Sequence, residues 1–486
     1  MLENTNIARC EANILNSKIT NFIKNFSYTL SSNLITLAIS TLVVLIIPKA
    51  IGVESYSYWQ LYIFYTSYVG FLHFGWNDGV YLRYGGEEYN QLDRQLFFSQ
   101  FIMLGIFQSI ILILVLCFSY GNADRSFIIQ ATAFCMLIVN LRGFLIYTLQ
   151  STNKIREYAR VTIFDRLLYF LLIILFLLLG GRNYKLIIII DLLGKFISLI
   201  FAMIICKRLV FLNIGNFKIN FIETYTNISV GIKLMISNIA SMLIVGVVRF
   251  GIERTWDITT FGKVSLTLNI SNLLMLFINA LGIIMFPVLR RTDKKSLPSI
   301  YKVMRDLLMV VMFGMLIFYY PAKEMLTNWL PDYTESLRYM ALLLPLSVYE
   351  GKMVLLVNTY FKALRKEKLM LRINLLVMSI SMLTTIVTTI VLNNLGVAVF
   401  SIVLLLMLRA VVSEVAISKI LNLYLLKDIF LEIILTLAFI ISGWYFDSIL
   451  TLIIYIGFYL TYLVIQKNAL IDTKDKIKSI ISSKEG

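Results

Sequence analysis

Apolar residues run through this chain in unbroken blocks of about 20, the length a helix needs to cross ~30 Å of hydrocarbon. Only short polar stretches separate them. The blocks predict about 14 transmembrane helices. The first six are 24–47, 58–81, 94–119, 127–149, 160–180 and 184–206. Eight more follow at 228–250, 260–288, 301–321, 338–361, 369–392, 395–420, 428–446 and 448–466. Hydrophobicity within each block is continuous, whereas a membrane barrel would show ~10-residue alternating strands. The expected fold class is therefore an all-α polytopic membrane protein.

Polar punctuation divides the blocks. Residues 1–23 are polar and amphipathic, with Ile7, Ile14, Leu15, Ile19, Phe22 and Ile23 as their apolar positions. They read as a segment lying along the cytoplasmic face, and no cleavable signal peptide is visible. The polar stretch 207–227 separates an N-lobe of helices 1–6 (24–206) from a C-lobe of helices 7–12 (228–420). Helices 13 and 14 (421–466) and a basic cytoplasmic tail (467–486) follow.

The two lobes carry traces of a duplication. Ser32-Asn33 stands 24 residues before Tyr56-Ser57, and Ser237-Asn238 stands 24 residues before Phe261-Gly262. The ends of helices 4 and 10 are also alike, Leu149-Gln150-Ser151-Thr152-Asn153-Lys154 beside Tyr360-Phe361-Lys362-Ala363-Leu364-Arg365. Six helices per lobe preserve orientation, so the repeat is read as parallel, a pseudo-two-fold along the membrane normal. Helices 13 and 14 fall outside it, as an accessory pair or the wall of a groove for a lipid tail.

Composition sharpens this picture. Of 486 residues, 59% are hydrophobic and 15% charged, with a mean hydropathy of +0.82. That leaves too little polar surface to coat soluble domains. The formal charge of +16 would suit nucleic acid, but its distribution points to topology. Lys and Arg cluster at Lys154/Arg156/Arg160, Lys207/Arg208, Arg290/Arg291/Lys294/Lys295, Lys362/Arg365/Lys366/Lys368 and the tail from Lys467. All of these fall on one side of the membrane if the N-terminus is cytoplasmic, as the positive-inside rule requires. Both termini are then cytoplasmic, and no nucleic-acid partner is expected.

Enzymatic signatures are scarce. Cys10, Cys117, Cys135 and Cys206 are scattered without metal-ligand spacing and read as small packing residues. His73 is the sole histidine and reads as packed near an aromatic helix. Neither a zinc-protease motif nor a phosphate-binding glycine loop occurs. The longest outer loop, about 321–336, is short for a glycan polymerase. No catalytic residue, metal or cofactor is expected.

Several short blocks carry a family resemblance. Pro48-Lys49-Ala50-Ile51-Gly52 through Tyr56-Ser57, then Phe74-Gly75-Trp76-Asn77-Asp78-Gly79 through Arg83, resemble the first block of Wzx-type O-antigen and capsule flippases. These belong to the multidrug/oligosaccharidyl-lipid/polysaccharide (MATE-like) exporter superfamily. The stretch from Arg249 to Arg291 is similar too, with Phe261-Gly262 opening helix 8 and Phe286-Pro287 closing it. Two departures stand out: Ser57 replaces the family's frequent Gly, and Val248 precedes Arg249 where an Asp is common.

The resemblance implies a flippase of the bacterial inner membrane. Its cargo would be a polyprenyl-diphosphate-linked oligosaccharide, an O-antigen or capsule repeat unit, moved from cytoplasmic to periplasmic leaflet by alternating access. The implied partners are that lipid-linked oligosaccharide, membrane lipids, a glycan polymerase and a chain-length regulator. Two other readings stand beside it. One is a cation-coupled drug antiporter of the same fold, which would want a carboxylate-dominated cavity. The other is an integral-membrane glycan polymerase or acyltransferase, which would lean on a residue such as His73.

Ionisable groups at membrane depth are the candidate site residues, because a charge there is costly unless it faces a cavity or a partner. The cations are Arg142, Lys195, Arg249, Lys352 and Arg409, a cationic cavity suited to a diphosphate through the planar fork of Arg. Asp78, Asp191, Glu350 and Glu414 are the candidates for proton or sodium coupling. Structural readings compete at each position. Asp191 and Lys195 are four apart and can neutralise one another. Asp165 and Arg166 can snorkel. Glu350 with Lys352, and Arg409 with Glu414, are candidate interhelical ties. Arg83 reads as an anchor or gate contact at the membrane edge.

Overall fold

The computed structural model of the protein describes residues 27, 31, 34–119, 121–291, 296–446, 449–467 and 470–472. The amphipathic segment 1–23, Cys10, Ser32-Asn33 of the repeat, Lys294, Lys295 and most of the basic tail lie outside the described residues. The predicted apolar blocks fall mainly on helix among the described residues, which contain no strand.

The helices are α1 (Leu34–Ile51), α2 (Val53–Thr66), α3 (Trp76–Arg83), α4 (Arg94–Phe118) and α5 (Ala123–Ser151). Then come α6 (Ile155–Leu178), α7 (Tyr184–Ile205), α8 (Phe221–Thr255), α9 (Ile258–Arg291) and α10 (Leu297–Trp329). The chain ends with α11 (Met340–Ala363), α12 (Glu367–Val391), α13 (Leu395–Leu421), α14 (Leu426–Tyr445) and α15 (Ile449–Ile465). Ten described helical stretches are long and apolar enough to cross a membrane. Together with the fold described below, this makes the chain a multi-pass membrane protein.

Local sequence sets most of the boundaries. Asp93, Asn122, Asn183 and Asn394 sit just before α4, α5, α7 and α13, and each side chain accepts a first-turn backbone N–H. Asn220 does the same for Glu223 at 3.0 Å, so α8 begins inside the stretch expected as an interlobe linker. Asn422 closes α13 in the left-handed region at φ 53°, a conformation Asn tolerates better than most residues.

Two expectations need correction. The block 58–81 is not one helix: α2 stops at Thr66, a 3-10 turn spans Val69–His73, and α3 starts at Trp76. Phe74 and Gly75 both have positive φ, 52° and 85°, which no α-helix can accommodate. The supposed outer loop 321–336 is largely helical, since α10 continues to Trp329. Pro321 stands in the first turn of its last segment, Tyr319–Trp329, where a missing N–H matters least.

Polarity is distributed as in a protein dissolved in lipid. Phe118, Leu171, Leu178, Ile390 and Val464 are more than half exposed, while Gln60, Asn77, Gln100, Gln108, Asn140, Arg305 and Glu414 are buried. Apolar side chains cover the outside, and polar groups satisfy one another within.

The chain forms two compact units. One comprises residues 58–235 with the stretch up to Ile46, the other residues 236–486 with the insert 47–57. In the first, α5 is the hub and packs against α3, α4, α6 and α7. In the second, α11 is the hub, set among α9, α10, α13 and α14. Its most apolar stretch is 89% buried.

Candidate functional site

In the first unit, the interruption between α2 and α3 frees backbone groups that lipid could not satisfy. Polar side chains from neighbouring helices take them up. Asn140 donates to the Val69 carbonyl at 3.1 Å and to Gln108 Oε1 at 2.9 Å. Gln108 donates to the Leu72 carbonyl at 3.0 Å, and Asn77 to the Asn140 carbonyl at 2.9 Å. The Gly75 N–H donates to His73 Nδ1 at 3.0 Å. That bond puts the hydrogen of a neutral imidazole on Nε2, which lies 3.8 Å from Asp78. His73 and Asp78 are both buried.

A second polar centre of the same unit gathers α2, α5, α6 and α7. Arg142 forms an ion pair with Asp165 and donates to Ser198 Oγ at 3.1 Å. Lys195 pairs with Asp191 one turn away, and Asp191 also accepts from the Tyr62 hydroxyl at 2.6 Å. The side chains of Arg142 and Lys195 keep 14% and 19% of their surface accessible, so neither is sealed. Asp165 does not snorkel as expected, because Arg142 on the adjoining helix offers a closer neutralising charge.

A third contact ties α3 to the start of α8. Arg83 Nη1 lies 2.5 Å from Glu223 and 2.6 Å from Asn227 Oδ1, while Tyr84 donates to Glu223 at 2.8 Å. The helices meet almost backbone to backbone. A Cβ at Gly79 would overlap Asn227, and one at Gly231 would overlap Gly75 and Gly79. Gln100 on α4 completes the junction, accepting from Trp76 Nε1 at 3.0 Å and Thr224 at 3.2 Å.

The second unit holds the remaining candidates. Arg249 on α8 donates to Ser265 at 3.0 Å and lies over the Phe261 ring. Arg409 on α13 pairs with Glu350 on α11 at 3.0 Å and donates to Asn374 on α12 at 3.0 Å. Lys352 on α11 bridges Glu414 on α13, at 2.6 Å, and Glu432 on α14. Arg305 on α10 bridges the same two carboxylates from the other side, each at 2.5 Å. The four side chains close a neutral, fully buried ring across four helices.

The expected ties Glu350–Lys352 and Arg409–Glu414 are thus exchanged. Positions 350 and 352 lie on different faces of α11, so Glu350 meets Arg409 while Lys352 meets Glu414. Arg305, Glu432, Asp306 and Asp428 escaped the sequence reading because 305–306 and 428–432 stand near the ends of their apolar blocks, where snorkelling is the default. The usable signals were the adjacent Arg305-Asp306 and the four-apart pair Asp428 and Glu432, each set within an apolar block. An open cleft of about 450 Å³ lies elsewhere in this unit, lined by Lys263, Arg338, Tyr339 and Trp444 among others. Arg338 stands over the Trp444 ring at 4.5 Å.

These observations define an all-α, multi-pass membrane protein with interior ion pairs both within a helix and between helices. Comparison with known proteins shows which fold that is. No protein-family model matches the sequence, and no curated protein does. Among solved structures the chain is similar to the lipid II flippase MurJ in an inward closed conformation. That likeness has a TM-score of 0.64 at 12% identity, over 92% of this chain and 99% of the other. It is also similar to an inward-facing multidrug resistance MATE transporter of the MOP superfamily, with a TM-score of 0.62 at 11% identity, over 80% and 98%. A MATE protein in the straight conformation gives 0.57 at 13%, over 83% and 96%. The fold is therefore shared by exporters and a lipid flippase.

Proposed function

We propose that the protein is a flippase for a polyprenyl-diphosphate-linked oligosaccharide, carrying it from the cytoplasmic to the outer leaflet of the bacterial inner membrane. The observation that carries this reading is the extent of the structural likeness. It takes in 92% of this chain for the lipid II flippase, but 80% and 83% for the two MATE structures. The C-terminal pair α14 and α15 fits that difference, and an additional helix pair suits a cargo with a long lipid tail.

The chemistry of the interior agrees with an anionic head group. Arg142 and Lys195 keep part of their surface accessible and can exchange a carboxylate for a diphosphate; Arg249 is the third candidate. Lys352 and Arg409 are 1% and 2% exposed; Lys352 neutralises the buried Glu414 and Glu432 and Arg409 the partly buried Glu350, which suits them to holding helices. Arg338, Tyr339 and Trp444 in the open cleft offer the cation and ring faces that bind sugars. Alternating access, cytoplasmic termini, a cooperating polymerase and a chain-length regulator belong to the same proposal.

The test is complementation of a flippase-deleted strain supplied with the repeat unit from this chain's own gene cluster. Restored surface glycan, with loss of the lipid-linked intermediate from the cytoplasmic face, supports flipping. Continued accumulation, with drug efflux gained in its place, would overturn it.

A further inference from the structure

The buried ring Arg305–Glu414–Lys352–Glu432 is balanced, but two more carboxylates press on it. Asp306 Oδ1 lies 3.5 Å from Arg305 Nη1, and Asp428 Oδ2 lies 3.7 Å from the same nitrogen. That guanidinium already serves Glu414 through Nε and Glu432 through Nη2. Asp306 is 5% exposed, and its Oδ2 has no hydrogen-bond partner among the described residues. Few arrangements are as costly as a buried carboxylate oxygen with nothing to accept from.

The groups around Asp306 can be followed helix by helix. On α10 they are Arg305 and Lys302, and on α14 Asp428. Farther off lie Glu432 on α14, Glu414 on α13, Lys352 on α11 and the phenols Tyr301 and Tyr462. Counting even the partly exposed Lys302, the cations are one short of the carboxylates if every acid is ionised. A low-dielectric interior does not hold such a surplus; it takes up a proton or a cation. Among the described residues no three acidic or metal-binding side chains converge on a metal site, whereas the bare Asp306 Oδ2 is placed to carry a proton.

Its position follows from how each acid is held. Glu414 and Glu432 each touch both Arg305 and Lys352. Asp428 is 17% exposed and accepts from Gln466 on α15 at 2.9 Å. Asp306 has the weakest support, one long contact and one bare oxygen. We propose that Asp306 is a proton-binding site, its carboxyl neutral while α10, α13, α14 and α15 are packed as seen here. Release leaves the Asp306 carboxylate and sends the proton out past Asp428, the exposed acid of the group. The site gives the chain a proton to exchange, whatever its cargo.

Infrared spectroscopy of the purified protein in lipid membranes tests this directly. At neutral pH the wild type should show the carbonyl stretch of a buried, protonated carboxylic acid, its carbonyl oxygen held only by the long contact to Arg305. Asp306→Asn should remove that band, and Asp428→Asn should leave it. Asn has nearly the shape of the neutral carboxyl, so Asp306→Asn should also reach wild-type amounts in the membrane and unfold at the wild-type temperature. A wild type without the band at neutral pH, or a band that survives in Asp306→Asn, would overturn the proposal. So would an Asp306→Asn protein that fails to accumulate, since that would mean an ionised carboxylate is needed there.

Discussion

Arg83 in the last turn of α3 grips Glu223 in the first turn of α8, with Nη1 and Oε1 2.5 Å apart, although the two residues are far apart in sequence. The pair is bidentate, since Nη2 reaches the second carboxylate oxygen at 3.2 Å. It is also incompletely shielded, with 27% of the Arg83 side chain and 14% of Glu223 accessible.

Partial exposure places the worth of this pair at about 1 kcal/mol, above most surface bridges and below a buried one. Arg83→Glu and Glu223→Arg should each lower the thermal unfolding temperature in detergent, because each sets like charges face to face. The double reversal restores opposite charges and should recover most of that loss. A double variant no more stable than the worse single one would mean the pair contributes nothing specific.

The same junction gives a steric prediction. A methyl group at Gly79 or Gly231 would meet backbone atoms of the facing helix, which cannot step aside as a side chain would. Gly79→Ala and Gly231→Ala should each cost about 1–3 kcal/mol, the usual range for overpacking. Gly70, whose Cβ position is open, provides the control: Gly70→Ala should unfold close to wild type. Equal melting temperatures for all three variants would show that α3 and α8 are not held at this separation.

Helix positions were legible in the sequence because block length and hydrophobicity are local properties. The interruption after Thr66 was not legible. It depends on Phe74 adopting φ 52°, a choice Phe does not make alone, and on Asn140 and Gln108 arriving from other helices. Partner choice among buried charges was half legible. Asp191 and Lys195 share one helix face, so their pairing follows from spacing. Arg409 could be matched to Glu350 only once α11 and α13 were packed, since the helix crossing decides which of two acids it meets. The ring was hidden for a further reason: its charges on α10 and α14 stand near helix ends, where a sequence gives them an exit to water.

Breaking that ring should be severe. Lys352→Met removes one cation and leaves Glu414 and Glu432 facing one another around Arg305 alone. Stranding a buried charge in this way costs about 3–5 kcal/mol, enough to deplete the folded protein in the membrane. The nearby Lys302→Met loses only a partly exposed charge and should accumulate normally. Comparison of membrane-inserted amounts and melting temperatures checks both, and a stable Lys352→Met protein would show that the ring is not what binds α11 to α13 and α14.

Arg142 and Arg249 carry the clearest functional prediction, because neither side chain is fully buried and a guanidinium can serve a diphosphate as well as a structure. Arg142 already has Asp165 and Ser198 as partners, and Arg249 has Ser265. Purely structural charges would make the double variant Arg142→Gln, Arg249→Gln poorly folded, and transport and protein would fall together. Head-group ligands, by contrast, would leave a normal amount of folded protein in the membrane and a loss of surface glycan of at least about tenfold, equivalent to ~1.4 kcal/mol. Arg142→Lys separates charge from geometry. It keeps the cation but loses the planar fork, so partial transport is expected where phosphate is the ligand. Quantifying surface glycan against folded protein for both variants decides the matter: full display by the double Gln variant removes both arginines from the transport path.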